Sequence, residues 1–324
     1  MPTAVEFKIP ERQSINGCEF PLGLLRDNDS VTLAETFAWL RESKQHLLDQ
    51  LQAHGAILFR GFPVESAEDF DAFVESFDLP GFPYEDSLSN AVRINYTPRV
   101  FSANEAPPDV SIYLHHEMAQ TPIYPSKLFF FCEHPATEGG ATPLCRSDLL
   151  WTRIQSESPQ FAADCESKGL RYTNVMPSDN DPESGMGRSW RSTFSVQTKE
   201  QAQLRMADLG YSWEWRTDES LKATSPVLPA VRALPDGRKT FFNQLIAAFR
   251  GWKDTRNDPS KAIVFGDGTP LDPSIMLHVV DIAESLCFDV EWQQGDVALV
   301  DNFTTMHARR TFSGTRKVLA AFVA

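Results

Sequence analysis

The 324-residue sequence has no long hydrophobic run, no excess of basic residues and no Cys-x-x-Cys pair. No stretch approaches the ~18 consecutive apolar residues of a membrane-spanning helix, so we expect no membrane partner. Lys and Arg total 30 against 44 Asp and Glu, a net charge of −14. This balance argues against a nucleic-acid partner, which would need a basic face.

Two further absences bear on the compartment. The first thirteen residues, MPTAVEFKIPERQ, lack the basic start and apolar run of a secretory signal. The five cysteines are scattered and odd in number, which predicts free thiols rather than a disulfide framework or a zinc site. We therefore expect a cytoplasmic protein.

Hydrophobic patterning predicts short strands with interspersed helices. The predicted helices are 32–53, 66–77, 146–168, 198–210 and 272–286. The predicted strands are 55–62, 91–96, 127–133, 296–302 and 316–324, with a hairpin over 228–245. This order suits an antiparallel double sheet with helices packed outside it. We find no linker and expect a single domain over 1–324.

Residues 113–122, YLHHEMAQTP, contain two adjacent histidines followed by a glutamate. The residues before them resemble a strand, in which side chains two apart share a face. His115 and Glu117 are thus predicted to reach one metal ion while His116 points away, and these ligands suit Fe(II), Mn(II) or Zn(II). The spacing alone is weak evidence, because roughly one His-x-Asp/Glu is expected by chance. A solvated polar pair at a strand end is the alternative.

The same stretch comes close to the zinc-protease motif His-Glu-x-x-His, which needs two histidines on one helical face. Gln120 stands where the second histidine would be, which disfavours that site. A third ligand would have to come from His46, His54, His134, His278 or His307. His307 precedes Arg309, Arg310 and Arg316, and such a cluster of cations indicates an anion nearby.

Four stretches occur in a characteristic order: LHHEMAQTPIYPSKLFFFC, EGGATPL, LPAVR with GRKTFFNQ, and GDVALVDNFTTMHARRTFSGTRKVL. Together they resemble the Fe(II)/2-oxoglutarate-dependent oxygenases of the taurine dioxygenase (TauD/TfdA) family, and in particular its SyrP-like branch. The resemblance covers most of the chain, from the first predicted helix to the end. It implies a mainly β fold with helices, namely a double-stranded β-helix (jelly roll) with helical insertions.

The resemblance also implies roles for individual residues. His115, Glu117 and His307 match the two-histidine, one-carboxylate triad that holds Fe(II) and leaves positions for 2-oxoglutarate and O2. Arg316 matches the arginine that binds the far carboxylate of 2-oxoglutarate, a task that suits the guanidinium fork. Thr142 matches a threonine that hydrogen-bonds the same carboxylate.

Substrate contacts follow less directly from the resemblance. Asn95 and Arg99 lie upstream of the triad, where the family lines its pocket, and Asn243 is a further candidate; each also suits a structural role. Ala320 stands where the family often has a second arginine for an acidic substrate. The alternative anchors for such a group are Arg309, Arg310 and Lys317.

The polar segment 173–193 is rich in Ser, Asp and Gly, which favours mobility. It also contains Arg188, Trp190 and Arg191, which are candidates for closing over a substrate. We therefore interpret this segment as a candidate lid or insertion.

We expect a dioxygenase that hydroxylates an unactivated C–H bond of a small polar substrate, such as an amino acid or derivative, free or carrier-tethered. 2-Oxoglutarate would be converted to succinate and CO2. Desaturation or cyclisation with the same iron chemistry is an alternative, as are a non-enzymatic jelly-roll binding protein and a zinc hydrolase. Glu117 argues against halogenation, because halogenating relatives replace this carboxylate with a small residue. Relatives often form dimers or tetramers, so a homo-oligomer is one candidate assembly, and the sequence leaves the oligomeric state open.

Overall fold

The computed structural model describes residues 4–15 and 17–324. In this part of the chain no helix is both long and apolar enough to cross a membrane. The helices are α1 (Leu33–His54), α2 (Ala67–Glu75), α3 (Ser147–Glu157), α4 (Pro159–Lys168), α5 (Trp190–Phe194), α6 (Lys199–Asp208), α7 (Leu245–Gly251), α8 (Pro259–Ala262) and α9 (Pro273–Ser285), with a 3-10 turn at Tyr84–Asp86.

The strands occur throughout the chain. They are β1 (Ala4–Glu6), β2 (Gln13–Ile15), β3 (Cys18–Phe20), β4 (Leu22–Arg26), β5 (Ala56–Arg60), β6 (Phe101–Ser102), β7 (Ile112–His115), β8 (Lys127–His134), β9 (Glu138–Gly139), β10 (Thr142–Arg146), β11 (Leu170–Met176), β12 (Ser212–Trp215), β13 (Leu221–Thr224), β14 (Arg232–Ala233), β15 (Lys239–Thr240), β16 (Ile263–Phe265), β17 (Cys287–Val290), β18 (Val297–Asp301), β19 (Thr305–Arg309), β20 (Phe312–Ser313) and β21 (Lys317–Val323).

Two sheets form the jelly roll. The major sheet has the order β1-β4-β5-β18-β8-β21-β6, and the minor sheet has the order β17-β10-β19-β7. Pairing is antiparallel except between β4 and β5. Between the sheets, Phe130 and Val318 of the major sheet share one buried apolar cluster with Leu144 and Phe288 of the minor sheet. The predicted double-stranded β-helix with helical insertions is therefore confirmed.

Helices cover the outer faces of both sheets. Phe129 and Phe131 alternate with Phe130 and pack against α1 and α2, whose apolar residues include Leu47 and Phe73. Burial of each such side chain stabilises the fold by about 1.5–3 kcal/mol. On the other side, α3, α7 and α9 cover the minor sheet. A strand buried on both faces has no polar face, which explains the uninterrupted Phe-Phe-Phe sequence.

Capping residues set the helix boundaries close to the predicted ones. Thr32 caps α1 reciprocally with Glu35, and Ser66 does the same for α2 with Asp69. Both pairs satisfy two otherwise free backbone N–H groups. The predicted helix 146–168 is instead two helices that meet at Ser158, because Pro159 lacks an N–H and begins α4.

The predicted strand over 91–96 is wrong. This segment is a loop in which Asn95 makes a single bridge to Phe101. The predicted hairpin in 228–245 is present but short, with β14 and β15 joined through the turn at Pro235 and Asp236.

Strands β11, β12 and β13, within residues 170–224, form a third sheet with β16, in the order β12-β13-β11-β16. Within the candidate lid, 173–176 belong to β11, and a loop then leads to α5. Arg188 is buried and donates to the carbonyls of Ser87 and Ser192. Trp190 is buried in an apolar cluster around α5 and α6. These two side chains fasten the segment to the protein, and its interpretation as a lid or insertion stays a prediction.

Candidate metal centre and its two cavities

Two neighbouring strands of the minor sheet place the histidines. In the antiparallel register of β7 and β19, His115 lies directly opposite His307. Facing residues in such a pair have Cβ atoms ~4.5–5.5 Å apart, and the two imidazole centroids here are 4.2 Å apart. Sheet register therefore joins two imidazoles that are far apart in the sequence.

Glu117 joins them from the turn that follows β7. Its backbone N–H donates to Oδ1 of Asn302 at 2.8 Å, and Nδ2 of Asn302 donates back to the Glu117 carbonyl at 3.1 Å. Oε2 of Glu117 lies 3.8 Å from Nε2 of His115 and 3.5 Å from Nε2 of His307. His116 points the other way, with its ring nitrogens at the Asn302 carbonyl and the Ser147 hydroxyl. The expected convergence of His115 and Glu117 is present, although a turn rather than a strand produces it.

The protonation of these groups favours metal ligation. Burial, with His115 nearby, lowers the pKa of His307 to about 4, so this imidazole is neutral at pH 7. Burial acts to raise the pKa of Glu117, but Arg93 and the two imidazoles outweigh it and hold that pKa well below its usual range. Nδ1 of His115 lies 2.7 Å from the Tyr113 carbonyl and donates to it, which leaves Nε2 free to ligate.

The residues fit a single divalent ion. One donor atom from each of His115, Glu117 and His307 lies within 4.8 Å of the other two. Two imidazoles and one carboxylate that leave the remaining positions open suit a non-haem Fe(II). The stretch 117–120 is a turn, so His116 and Gln120 do not share a helical face. The zinc-protease arrangement is therefore absent from this stretch.

Two cavities meet at this cluster, and both are lined by Arg93, Asn104, Ile112, His115 and Glu117. We call the first the Arg316 cavity. It is lined in addition by Thr142, His307, Arg309 and Arg316, with the apolar side chains of Phe130 and Val318. We call the second the amide cavity. It is lined in addition by Asn90, Gln120 and Gln244, with Met186 and Trp252.

Arg316 is held at the wall of its cavity. Nε donates to the Gly140 carbonyl at 2.9 Å and Nη2 to the Thr142 hydroxyl at 3.3 Å. Nε1 of Trp292 donates to the same hydroxyl at 2.9 Å. Burial lowers the pKa of Arg316 to about 10, so the side chain stays charged at neutral pH. No carboxylate oxygen of the described residues lies within 4.0 Å of this guanidinium, which leaves it suited to an anionic ligand.

Among the described residues that line the two cavities, Asn95, Arg99 and Asn243 do not occur. Asn95 is exposed and donates to Glu85. Arg99 pairs with Asp71 and Glu75 of α2. Asn243 is buried, donates to the Ala230 carbonyl and accepts from the Leu245 N–H. For Asn95 and Arg99 the reason is that the loop 91–100 does not continue as a strand towards the metal cluster.

The alternative anionic anchors are also engaged. Arg310 pairs with Glu284 and Asp289, and Lys317 pairs with Glu133. Arg309 lines the Arg316 cavity, but its guanidinium donates to backbone carbonyls of the loop 106–110. Arg309 therefore holds that loop against the minor sheet.

Sequence reasoning missed Arg93. Its side chain is 4% exposed, and Nη2 donates to Oε1 of Glu117 at 3.1 Å. An arginine between Val92 and Ile94 was the available signal, because a charge flanked by apolar residues often has a buried partner. Asn90, Gln120 and Gln244 of the amide cavity stand in no sequence pattern that would have indicated their position.

Comparison with known proteins shows which family has this arrangement of residues. The family model described as "Taurine catabolism dioxygenase TauD, TfdA family" matches residues 20–322. The chain belongs to the TauD/TfdA family. A clavaminate synthase-like protein of Arabidopsis thaliana is 41% identical over 323 residues, covering 98% of this chain and 97% of the relative.

Two more distant similarities extend over most of both chains. The dapdiamide synthesis protein DdaC of Enterobacter agglomerans is 26% identical over 86% of this chain and 85% of its own. The solved structure of AAD-2 in complex with Mn(II) and N-oxalylglycine superposes with a TM-score of 0.54 at 13% identity, covering 100% of this chain and 98% of that one. This last likeness shows the shared fold.

The protein is therefore an Fe(II)/2-oxoglutarate-dependent dioxygenase, which uses Fe(II), 2-oxoglutarate and O2. The resemblance inferred from the sequence motifs is confirmed at the level of the family, while the SyrP-like branch stays a prediction.

Proposed function

We propose that His115, Glu117 and His307 hold the Fe(II), and that Arg316 and Thr142 bind the far carboxylate of 2-oxoglutarate. The observation that carries this proposal is that the three-residue cluster shares a cavity with Arg316, a partly buried arginine that has no carboxylate partner among the described residues. When bound, the iron supplies the activation of O2 that is coupled to conversion of 2-oxoglutarate into succinate and CO2.

This chain's own residues position the reactants and exclude water. Arg316 and Thr142 would hold one end of 2-oxoglutarate so that its other end reaches the cluster. Phe130 and Val318 supply apolar walls beside it. Because the cluster is largely buried, water is kept from the reacting atoms while substrate approaches from the amide cavity.

The substrate we propose is a small polar molecule, such as an amino acid or derivative, free or carrier-tethered, hydroxylated at an unactivated C–H bond. Support comes from the amide cavity, whose polar walls include the side chains of Asn90, Asn104, Gln120 and Gln244. The name of the Enterobacter relative, a dapdiamide synthesis protein, supports a biosynthetic substrate. Desaturation or cyclisation would use the same residues. The five free cysteines support the reducing cytoplasm as the compartment.

The test needs no substrate. Fe(II) and then 2-oxoglutarate are added to the apoprotein without oxygen, and the visible charge-transfer band of a chelated keto acid is recorded. We expect the band in the wild type and its loss in His307→Ala, because one of three ligands is gone. His278→Ala is the matched control, since His278 lies on α9 and pairs with Glu157. A wild type without the band, or a His307→Ala variant that keeps it, would overturn the proposed metal site.

Hydroxylation is tested separately, with oxygen and a panel of amino acids and their amides. Succinate formation that rises with one compound, together with a product heavier by one oxygen atom, is the expected result. A product lighter by two hydrogen atoms would favour desaturation or cyclisation instead.

A further inference from the structure

The two oxygens of Glu117 have different surroundings. Oε2 faces the imidazoles of His115 and His307, at 3.8 and 3.5 Å. Oε1 accepts a hydrogen bond from Nη2 of Arg93 at 3.1 Å. Both side chains of this ion pair are almost fully buried, at 4% and 5% exposure. The carboxylate is thus held by an arginine on one oxygen and offered to the cluster with the other.

Arg93 is itself fixed in place. Nη1 donates to the Ala103 carbonyl at 2.5 Å. Its guanidinium carbon lies 5.3 Å from the ring centroid of Phe101 and 5.0 Å from that of Phe322, both in the major sheet. Contacts of a cation with aromatic faces stabilise it in a desolvated site. The Ala103 carbonyl and the two phenylalanine rings of the major sheet therefore hold the guanidinium in place.

We propose that Arg93 is a positioning residue for the metal, which occupies one oxygen of Glu117 and so makes it a one-oxygen ligand. The inference rests on the proposed function, because it requires Glu117 to be a ligand. A carboxylate that ligated through both oxygens would take a further position on the ion. That would leave one position fewer for 2-oxoglutarate and O2.

An alternative role for Arg93 is to bind an acidic substrate, since it lines both cavities. Its charge is already paired with Glu117, which weakens its attraction for a second anion. The two roles differ in what they predict without substrate. A positioning residue affects metal affinity of the free protein, whereas a substrate anchor affects only the KM for the substrate.

The experiment measures the affinity of the full-length apoprotein for Mn(II) alone, from the electron paramagnetic resonance signal of the free ion. We expect Arg93→Gln to bind Mn(II) about 10–100-fold more weakly, the range for loss of a partner that orients a ligand. Arg93→Lys keeps a charged donor and should bind roughly three- to tenfold more weakly. Arg99→Gln is the matched control, because Arg99 lies in the same loop but pairs with α2, and its affinity should equal that of the wild type.

A second background tests whether Arg93 acts through Glu117. In Glu117→Asp the carboxylate is one methylene shorter and moves out of reach of Arg93. We expect Arg93→Gln to change Mn(II) affinity less than about threefold in this background, since coupling disappears when the contact does. An equal effect in both backgrounds would show that Arg93 acts by another route and would overturn the proposal.

Failure of the inference is distinguishable from failure of the proposed function. If the wild type binds Mn(II) and loses it in His307→Ala, while both Arg93 variants bind like the wild type, only the inference is wrong. If the wild type binds no Mn(II), both the proposed function and the inference are wrong. Circular dichroism checks that each variant folds, and Arg93→Lys, which retains a cation between the two phenylalanines, decides the outcome if Arg93→Gln does not fold.

Discussion

The two cavities that meet at Glu117 are built from different parts of the fold. The Arg316 cavity is lined largely by strand residues, among them Phe130 of β8, Thr142 of β10, His307 of β19 and Val318 of β21. The amide cavity shares β7 residues with it but is otherwise lined mainly by the loops 89–93 and 104–111, residues 185–186 and the region around α7. Strand register fixes the first set, whereas the second depends on how loops far apart in sequence pack.

The cavities also differ in charge. Arg316 has no carboxylate partner among the described residues, so its cavity is suited to a strong anion. In the amide cavity Arg93 is already paired with Glu117, and the other polar side chains include the four neutral amides of Asn90, Asn104, Gln120 and Gln244. Under the proposed function, the cosubstrate site is therefore built of rigid, charged groups, whereas the substrate site includes neutral groups on loops.

The largest effect is expected from removing the charge of Arg316, which tests whether the two cavities differ in their affinity for an anion. Arg316→Ala should weaken 2-oxoglutarate binding by at least about 100-fold, because each hydrogen bond to a charged group contributes about 1.5–3 kcal/mol and two are lost. Titration of the anaerobic Fe(II) protein with 2-oxoglutarate measures this. Arg99→Ala, the loss of a surface arginine, should leave the affinity unchanged. An Arg316→Ala variant with wild-type affinity would remove the proposed difference between the cavities.

A pair of glycines tests the difference in rigidity. Gly140 has φ +74°, and a Cβ there would lie 3.0 Å from both Ala136 Cβ and Arg316 Cδ. At Gly185, in the amide cavity, the nearest atom would be Ala106 Cβ at 3.8 Å. Gly140→Ala should lower the free energy of unfolding by about 1–2 kcal/mol and weaken 2-oxoglutarate binding. Gly185→Ala should change the free energy of unfolding by less than about 0.5 kcal/mol.

Urea unfolding of both glycine variants gives the two free energies. Equal losses would contradict the contrast between a rigid and a permissive cavity wall.

The smallest effect is expected at Gln120. Its side chain is buried, and Oε1 has no hydrogen-bond partner in the described structure. Gln120→Met removes an unsatisfied polar group, so the free energy of unfolding should stay within about 1 kcal/mol of the wild type or rise. Affinity for 2-oxoglutarate should not change, because Gln120 does not line the Arg316 cavity. A loss above about 2 kcal/mol would mean that the amide is needed for folding rather than available to substrate.

The metal cluster and the Arg316 cavity were largely predictable. His115, Glu117, His307, Thr142 and Arg316 stand in short motifs, and the structure brings them together. Their relative positions follow from strands that pair in one register, and register is strongly specified where one face is buried.

The amide cavity was not predictable in the same way. Asn95 and Arg99 were expected near the substrate, but Arg93, two residues before Asn95, reaches Glu117. The 91–96 segment has strand-like residues yet forms a loop. The alternation of side chains between the two faces of a strand therefore did not predict where its side chains point. Trp190 and Arg188 were likewise expected at a lid, and packing against α6 and the 84–89 loop decided their burial.

The sequence by itself determined the family, the jelly roll and the side chains able to hold iron and 2-oxoglutarate, because these depend on local patterns of residue type. Only the tertiary structure decided which arginine faces the triad carboxylate and which amides line the approach to it. Those contacts join segments separated by tens to hundreds of residues, and no local propensity specifies how such segments meet.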